Sequence, residues 1–317
     1  MKLDEIMMNE EKKEVIFLLG ATGGVGKLLA EELKKNGYIV VGNGRKEDVL
    51  IKMKNEGKID DYVVGDLTKD EDRKKVVEKI KEYVNKGYKV SVFYNIGILY
   101  DYRGDISKYS IEEIRKAWET NVESIIATDI ELLKNNLILD TIYMASISAY
   151  YVGGWDHIYQ ITKAALDRYV AALIYDDKVN NRKRRVIELS PDTIKTGEEG
   201  MGSKLKEYPK IPGEIFVKKV VEIINGKYKE YSGFIFEISE YKGIIAQLRN
   251  NKYIAKLLSN KYISKLLNNK YIAKLRNLFG IDLRPTIKLY GMNPSKDRNI
   301  FDYHEKKLLE KIGKAVY

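Results

Sequence analysis

Two hydrophobic periodicities alternate along residues 1–240 of this 317-residue chain. Short runs rich in Val, Ile, Tyr and Phe predict strands at 15–19, 38–41, 62–64, 89–94, 141–145, 185–189 and 233–237. Between them, apolar residues recur at helical spacing, as over 26–36, 70–85 and 111–134. The alternation predicts an α/β fold, with a doubly wound parallel sheet of seven strands and helices on both faces.

The pattern changes after residue 240. Three nine-residue units, NNKYIAKLL from Asn250, SNKYISKLL from Ser259 and NNKYIAKLR from Asn268, follow a weaker relative, YKGIIAQLR from Tyr241. Each unit places apolar residues at helical spacing, and since nine residues turn a helix by ~900°, successive units present their apolar stripes on opposite faces. The chain therefore divides into a domain over 1–240 and a mainly helical extension over 241–317.

The positive charge of the chain lies in this extension. The formal net charge is +10, yet residues 241–317 hold 17 Lys and Arg against 5 Asp and Glu, which leaves 39 against 41 in residues 1–240. A basic amphipathic repeat can bind a membrane surface or an acidic protein partner, or form an oligomer interface, and these alternatives stay open. Because the body is nearly neutral, nucleic acid is not expected as a partner.

Composition excludes several kinds of site. The sequence has no cysteine and only two histidines, His157 and His304, so we expect no disulfide, no thiolate nucleophile and no metal site. The acidic N-terminus does not resemble a signal peptide, and no apolar run approaches the ~20 residues of a membrane span. We expect a cytoplasmic protein, with peripheral attachment to a membrane through the basic extension as an alternative.

A glycine-rich segment, Gly20-Ala-Thr22-Gly23-Gly24-Val25-Gly26, joins the first predicted strand to the first predicted helix. Glycines let a backbone approach a pyrophosphate closely, and the N–H groups at a helix N-terminus attract its charge. A tight structural turn would have a similar sequence, but the position at the first strand–helix junction favours nucleotide binding. The sequence lacks the Gly-Lys-Ser/Thr ending of an ATPase phosphate loop.

A second candidate site combines Ser146 with Tyr159 and Lys163. Residues four apart share one face of a helix, so the Lys163 ammonium can lie beside the Tyr159 phenol. An adjacent cation favours the phenolate of a group that otherwise titrates near pH ~10, which would make Tyr159 an acid or base. The Tyr-x-x-x-Lys pattern alone is weak, because chance pairs are common in a chain with 24 tyrosines.

Seven motifs follow the predicted strands in order: Gly20-xxx-Gly24-x-Gly26, Asp66-Leu67, Asn95-Ile-Gly97, Asn121, Ser146, Tyr159-xxx-Lys163 and Ser190-Pro191-Asp-Thr-Ile-Lys-Thr196. Their order and placement resemble the short-chain dehydrogenase/reductase family, in its compact single-domain branch, over about residues 14–240. The resemblance implies a Rossmann-like fold and a homo-oligomer, either a dimer or a tetramer.

The resemblance also implies roles for the matching positions. Tyr159 would exchange a proton with the substrate oxygen, and Ser146 would hydrogen-bond the same oxygen. Lys163 would hold the nicotinamide ribose and lower the pKa of Tyr159, and Asn121 would position a water that relays protons. Besides Tyr159 and Lys163, the cofactor would be bound by Gly20, Thr22, Gly23, Gly24, Val25, Gly26, Arg45, Asp66, Leu67, Asn95, Gly97, Pro191, Ile194 and Thr196.

The end of the second predicted strand bears on the choice of cofactor. An NAD enzyme usually places a carboxylate there, whereas this chain has Gly44 and then Arg45, a planar cation suited to a 2′-phosphate. NADP(H) is therefore favoured. The alternative is that Arg45 stacks on adenine and NAD(H) is also accepted.

The substrate pocket is less well defined by the sequence. Tyr151, Trp155 and His157 lie between Ser146 and Tyr159 and could line the pocket or pack elsewhere on the surface.

Three positions depart from the family pattern: Leu19 replaces the usual Thr, Tyr94 the usual Asn and Asp192 the usual Gly. Local loop contacts must differ at these positions.

These features together predict an NADP(H)-dependent ketone or aldehyde reductase that acts on a small carbonyl or alcohol substrate. Two alternatives stay open. One is a nucleotide-binding redox-sensing or scaffold module with little turnover, and the other is a nucleotide-sugar-modifying member of the same family.

Overall fold

The computed structural model describes residues 14–100, 102, 105–150, 156–196, 211–226, 235–238 and 288–290. The chain forms two units, Met1–Gly233 and Phe234–Tyr317. In the second unit the described residues are two strands, Ile235–Ile238 and Lys288–Tyr290, which pair antiparallel. The nine-residue repeats that we predict to be helical lie outside the described residues.

The first unit alternates strands and helices, as its sequence pattern predicts. Its strands are β1 (Glu14–Leu19), β2 (Ile39–Gly44), β3 (Asp61–Val64), β4 (Lys89–Tyr94), β5 (Asp140–Met144), β6 (Val186–Pro191), β7 (Ile194–Lys195) and β8 (Ile211–Pro212). Its helices are α1 (Gly24–Lys35), α2 (Glu47–Asn55), α3 (Asp70–Asn85), α4 (Ile111–Trp118), α5 (Ser124–Lys134), α6 (His157–Val179) and α7 (Gly213–Ile224). Short 3-10 turns lie at Ile106–Lys108 and Ile147–Ala149, and a π-helical turn, Glu119–Glu123, joins α4 to α5.

Six of the predicted strands form a parallel sheet in the order β6-β5-β4-β1-β2-β3. Val15 of β1 lies opposite Ile39 of β2 on one side and Val90 of β4 on the other. The strand order reverses between β1 and β4, which places a crevice between their carboxyl ends. The doubly wound parallel sheet is thereby confirmed.

The predicted seventh strand, 233–237, is present as β9 (Ile235–Ile238), which falls in the second of the two units. β7 and β8, which the sequence pattern does not predict, form a separate parallel pair with Ile194 opposite Ile211. Such two-residue strands are too short to produce a recognisable periodicity.

Burial explains why the central strand β1 is apolar after its first residue. Val15 to Leu19 are fully buried, because helices cover both faces of a doubly wound sheet. α1 buries Leu29, Ala30 and Leu33 on the face that packs toward α7 and the sheet. The helix ends before Gly37, whose φ of +83° is a backbone conformation that glycine adopts readily. Among the described helices, none has both the length and the hydropathy to cross a bilayer.

A buried carboxylate joins two strands and two helices of the first unit. Asp129 on α5 accepts hydrogen bonds from three phenols: Tyr94 of β4 at 2.5 Å, Tyr143 of β5 at 2.5 Å and Tyr169 of α6 at 2.8 Å. The rings of Tyr94 and Tyr143 stack with their centroids 5.0 Å apart. Burial raises the pKa of Asp129, and the three phenol donors oppose that rise. The network therefore fixes the carboxyl ends of β4 and β5 against α5 and α6.

Substitution of Asp129 tests the contribution of this network to stability. Asp129→Ala leaves two buried phenols and the partly buried phenol of Tyr169 without their shared acceptor, and each loss at a buried group costs about 1–3 kcal/mol. We expect the free energy of unfolding, measured by urea denaturation, to fall by ~3 kcal/mol or more. The control is Asp48→Ala, at an exposed position of α2, with an expected change of about 0.5 kcal/mol or less. A loss below ~1 kcal/mol for Asp129→Ala would contradict this role.

Candidate active site

The predicted site residues lie on segments that follow the carboxyl ends of adjacent strands. Gly20 follows β1, Asn95 follows β4, and Ser146 lies two residues beyond β5. Tyr159 and Lys163 lie on α6, which comes next along the chain. In an open parallel sheet, ligands bind at this edge where the strand order reverses, so the predicted residues are brought to one place.

The glycine loop packs too tightly to hold larger residues at two of its positions. Gly20 has a φ of +88°, and a Cβ there would lie 2.5 Å from the carbonyl oxygen of Asn95. A Cβ on Gly26 would lie 2.3 Å from the carbonyl oxygen of Gly20. No side chain caps the described N-terminus of α1 at Gly23, so its N–H groups can bind an anion.

We expect an added methyl group to have different effects at two glycines of the loop, Gly26 and Gly23. Gly26→Ala forces backbone atoms apart, and we expect the free energy of unfolding to fall by about 1–3 kcal/mol in urea denaturation. Gly23→Ala is the matched control, because its Cβ would meet nothing nearer than 3.7 Å, and its stability should equal that of the parent. Equal losses in both variants would show that the close packing at Gly26 is not what requires glycine there.

A cation and a carboxylate face each other at the ends of β2 and β3. Arg45 Nη1 lies 3.9 Å from Asp66 Oδ2, with the Arg45 side chain 60% exposed. Burial raises the pKa of Asp66, but the hydrogen bonds from Thr68 and the charge of Arg45 outweigh it, and the net pKa is lowered. Thr22 packs on Gly44, where a Cβ would lie 2.6 Å from Thr22 Cγ2. The glycine loop, the cation and the carboxylate thus meet at one end of the crevice.

Tyr159 lies in the first turn of α6, after the N-cap residue Asp156. Asp156 Oδ1 accepts the backbone N–H of Tyr159 at 2.8 Å. Burial raises the pKa of Tyr159 well above its ordinary value, the nearby Ser146 hydroxyl opposes the rise, and the negative charge of Asp156 adds to it. The free protein therefore holds this phenol in its protonated form.

Lys163 lies one turn further along α6 and is 1% exposed. Its Nζ donates a hydrogen bond to the carbonyl oxygen of Met144 at 2.6 Å and lies 5.5 Å from the centroid of the Tyr159 ring. Burial lowers the pKa of Lys163 to about 8, and the negative charge of Glu188 opposes that lowering. At neutral pH the group is mainly an ammonium beside the phenol.

Asn121 reaches the same place from the π-helical turn between α4 and α5. Its Oδ1 accepts the N–H of Ile98 at 2.7 Å, and its Nδ2 donates to the Ile98 carbonyl at 2.9 Å and to Thr162 Oγ1 at 3.0 Å. Gly97 lies between the two groups, since a Cβ there would be 3.6 Å from both Asn121 Oδ1 and Lys163 Nζ. The wider π turn thereby brings an amide beside the buried lysine.

The family model for short chain dehydrogenases matches residues 14–203, a range that contains the glycine loop and all four predicted catalytic positions. The chain belongs to the short-chain dehydrogenase/reductase family. The resemblance inferred from the order of motifs is thereby confirmed, and so is the expectation of an NAD(P)-dependent dehydrogenase or reductase.

Relatives of this dehydrogenase/reductase include uncharacterized oxidoreductases. Lmo0432 of Listeria monocytogenes is 27% identical over 225 residues, which cover 64% of this chain and 88% of that protein. SSP0419 of Staphylococcus saprophyticus is 28% identical over 219 residues, which cover 64% and 89% of the two chains. L-Sorbose reductase of Gluconobacter frateurii, solved with NADPH and L-sorbose, superposes with a TM-score of 0.61 at 20% identity, over 72% of this chain and 95% of that one. The last similarity shows a shared fold.

The remaining predicted site residues of the dehydrogenase/reductase differ in their burial and in their hydrogen-bond partners. Pro191 at the end of β6 and Ile194 at the start of β7 are buried, and the buried Thr196 Oγ1 has no hydrogen-bond partner among the described residues. Leu67 is buried in the core, so a contact with the cofactor would come from its backbone. His157 begins α6 and is half-buried. Two predicted pocket residues, Tyr151 and Trp155, lie outside the described residues.

Three buried polar residues near the site are missing from the sequence prediction: Asn43, Asp156 and Glu188. The Asn43 carbonyl accepts the N–H groups of Gly20 and Ala21, at 3.1 and 2.8 Å. Asp156 had a recognisable signal, an N-cap residue three positions before Tyr159. For Glu188 the only signal was a charged residue in the apolar strand β6.

Proposed function

We propose that this short-chain dehydrogenase/reductase is an NADP(H)-dependent reductase of ketones or aldehydes. The observation that carries the proposal is the grouping of Ser146, Tyr159 and Lys163 at the crevice beside the glycine loop, with Lys163 Nζ 5.5 Å from the centroid of the Tyr159 ring. A hydroxyl pair next to a buried ammonium is suited to giving a proton to a carbonyl oxygen and stabilising the charge that develops there.

The residues that would hold the cofactor fit it at both ends. The close packing of Gly20 and Gly26 lets the loop backbone approach a pyrophosphate. At the other end, the carboxamide of a nicotinamide would supply the partner that Thr196 Oγ1 lacks among the described residues. When bound, the nicotinamide supplies the hydride that the carbonyl carbon accepts.

Tyr159 would donate the proton that the substrate oxygen takes up. A proton donor must be protonated before the reaction, and burial together with the charge of Asp156 keeps the phenol in that form. The Ser146 hydroxyl would donate a hydrogen bond to the same oxygen as negative charge develops on it. The Lys163 ammonium would stabilise the phenolate left behind.

Removal of the Tyr159 hydroxyl separates proton donation from cofactor binding. In Tyr159→Phe we expect kcat for NADPH oxidation with a carbonyl substrate to fall by about 10²- to 10⁴-fold. NADPH affinity, measured by fluorescence titration, should stay within about threefold of the parent, because the ring is kept. Tyr175→Phe, at an exposed position of the same helix, is the control and should retain full activity. More than a tenth of the parent kcat in Tyr159→Phe would remove Tyr159 from the mechanism.

The preference for NADP(H) over NAD(H) rests on Arg45. Its exposed guanidinium stands at the end of β2, within reach of Asp66, where the ribose of an adenosine would bind in this fold. Planar guanidinium groups bind phosphates with paired hydrogen bonds. The solved structures of L-sorbose reductase with NADPH and of ElxO with NADP support the proposal by similarity of fold.

Substitution of Arg45 tests this preference. In Arg45→Gln we expect the Kd for NADPH to rise by about tenfold and the Kd for NADH to change by less than about twofold, because only NADPH carries the 2′-phosphate. Lys52→Ala removes another exposed cation, on the neighbouring α2, and should leave both affinities unchanged. Equal weakening of NADPH and NADH by Arg45→Gln would contradict recognition of the phosphate.

Two other functions are distinguished by assay. A redox-sensing or scaffold module would bind NADPH tightly and oxidise it with no member of a carbonyl panel. A nucleotide-sugar-modifying enzyme would instead act on nucleoside-diphosphate sugars.

For the basic extension, 241–317, contact within a homo-oligomer or docking on the body is favoured over a membrane surface, because the predicted apolar stripes lie on two faces. A cytoplasmic location stays a prediction.

A further inference from the structure

The carboxylate of Asp156 is buried next to the proposed proton donor. Asp156 is the N-cap of α6, three positions before Tyr159, and is 1% exposed. A helix N-terminus requires one side-chain acceptor, and Ser or Asn supplies it as well as Asp does. Because a buried carboxylate is costly unless its oxygens are hydrogen-bonded, the other contacts of Asp156 must account for an acid at this position.

Three donors from separate parts of the chain converge on this carboxylate. Oδ1 accepts the backbone N–H of Tyr159 at 2.8 Å and the phenol of Tyr109 at 2.7 Å. Oδ2 accepts the backbone N–H of Tyr100, which lies on the segment after β4. Each oxygen therefore faces a backbone N–H, which can donate but never accept. A carboxylate serves both, whereas an Asn side chain would turn its own N–H₂ donor toward one of them.

The segment after β4 is attached to α6 at two points. Ile98 forms two hydrogen bonds with Asn121, whose Nδ2 also donates to Thr162 Oγ1 on α6 at 3.0 Å. Two residues further along, the Tyr100 N–H bonds directly to the carboxylate of Asp156 at the start of the same helix. The first attachment runs through a side-chain amide and the second through a carboxylate.

Aromatic packing holds the third donor in place. The Tyr109 ring meets the rings of Tyr102 and Tyr100 edge-on, with centroids 4.8 and 6.4 Å apart. It also belongs to a small apolar cluster with Ile158 of α6. The Tyr109 phenol thus reaches Asp156 from a packed position, and the bond costs little additional side-chain entropy.

We propose that Asp156 is a positioning residue: its carboxylate fixes the first turn of α6 against the segment after β4, and so sets where the Tyr159 phenol meets the substrate oxygen. Tyr159 lies between the two points of attachment, three residues after Asp156 and three before Thr162. A misplacement of about 1 Å can lower a rate by about 100-fold, so a loosened first turn is costly even where the fold and the cofactor site are kept. The effect on catalysis rests on the proposed function, whereas the bridge from Asp156 to Tyr100 does not.

The bridge can be measured in the free protein by amide hydrogen exchange. Both backbone donors belong to tyrosines, so the full chain is labelled with ¹⁵N-tyrosine and followed by NMR, and Tyr100→Phe and Tyr159→Phe identify the two resonances. In Asp156→Ser the hydroxyl keeps the cap, and the Tyr159 amide should exchange within about threefold of the parent rate. The Tyr100 amide loses its acceptor and should exchange at least about tenfold faster. Equal protection of Tyr100 in parent and variant would overturn the bridge.

Asp156→Asn keeps the size of the side chain and serves if serine at this position impairs folding. One of its two terminal atoms is a donor, so either the Tyr100 or the Tyr159 amide should exchange about tenfold faster. Full protection of both amides would show that no carboxylate is required and would overturn the proposal.

Asp140→Ser is the matched control. Asp140 Oδ1 also accepts a backbone N–H from a distant part of the chain, that of Arg185 at 2.7 Å, but at the amino end of β5, opposite to the site. The variant loses a comparable contact, yet its Tyr100 exchange rate and its kcat should stay within about twofold of the parent.

Kinetics test whether the bridge acts through Tyr159. With NADPH and a carbonyl substrate, kcat per NADPH-binding site should fall by about 10- to 100-fold in Asp156→Ser. In the Tyr159→Phe background the same change should lower the residual kcat by less than about threefold, because residues that act as a unit are not additive.

Two kinetic outcomes would overturn the positioning role. One is a parent-like kcat in Asp156→Ser, and the other is an equal loss in both backgrounds, which would indicate general structural damage. Absence of NADPH turnover in the parent would contradict the proposed function and leave amide exchange to decide the bridge.

Discussion

A buried ammonium group is the constraint on which the site depends. Lys163 is almost wholly inaccessible, so each polar contact it has must offset the loss of hydration. The Met144 carbonyl accepts one of its hydrogen bonds, and Gly97 lies beside both its Nζ and Asn121. A charge held this way is strongly felt by its neighbours, because little water is present to screen it.

The helix that carries Tyr159 and Lys163 is fixed by two buried carboxylates. At its start, Asp156 caps the helix and also accepts hydrogen bonds from the Tyr109 phenol and the Tyr100 backbone N–H. Further along, Tyr169 donates to Asp129, which is held by phenols at the ends of β4 and β5. Tyr159 and Lys163 lie between these anchors, so their position relative to the strand ends is set by hydrogen bonds as well as by apolar packing.

Local patterns in the sequence were sufficient to predict much of this arrangement. Each of these patterns involves residues that are close together in the sequence: the apolar strand runs, the glycine loop and the four-residue step from Tyr159 to Lys163. All of them are present in the structure. The helix predicted over 111–134 is divided by a π turn at Asn121, because tertiary contacts with Ile98 and Thr162 decide the local backbone there. Asn43 could not be assigned for the same reason, since Val63 and Gly65, which accept its hydrogen bonds, are distant along the chain, and so is Tyr150, one of the partners of Glu188.

The central claim is that hydride passes from the nicotinamide to a carbonyl carbon while Tyr159 donates a proton to the carbonyl oxygen. Isotope labelling tests this claim most directly. The full-length protein is given NADPH deuterated at C4 of the nicotinamide, in separate preparations for each face, and a panel of ketones and aldehydes. The account predicts that one of the two preparations yields an alcohol with a single deuterium on the carbinol carbon, detected by mass spectrometry. Tight NADPH binding with no deuterium in any product, from either preparation, would contradict it.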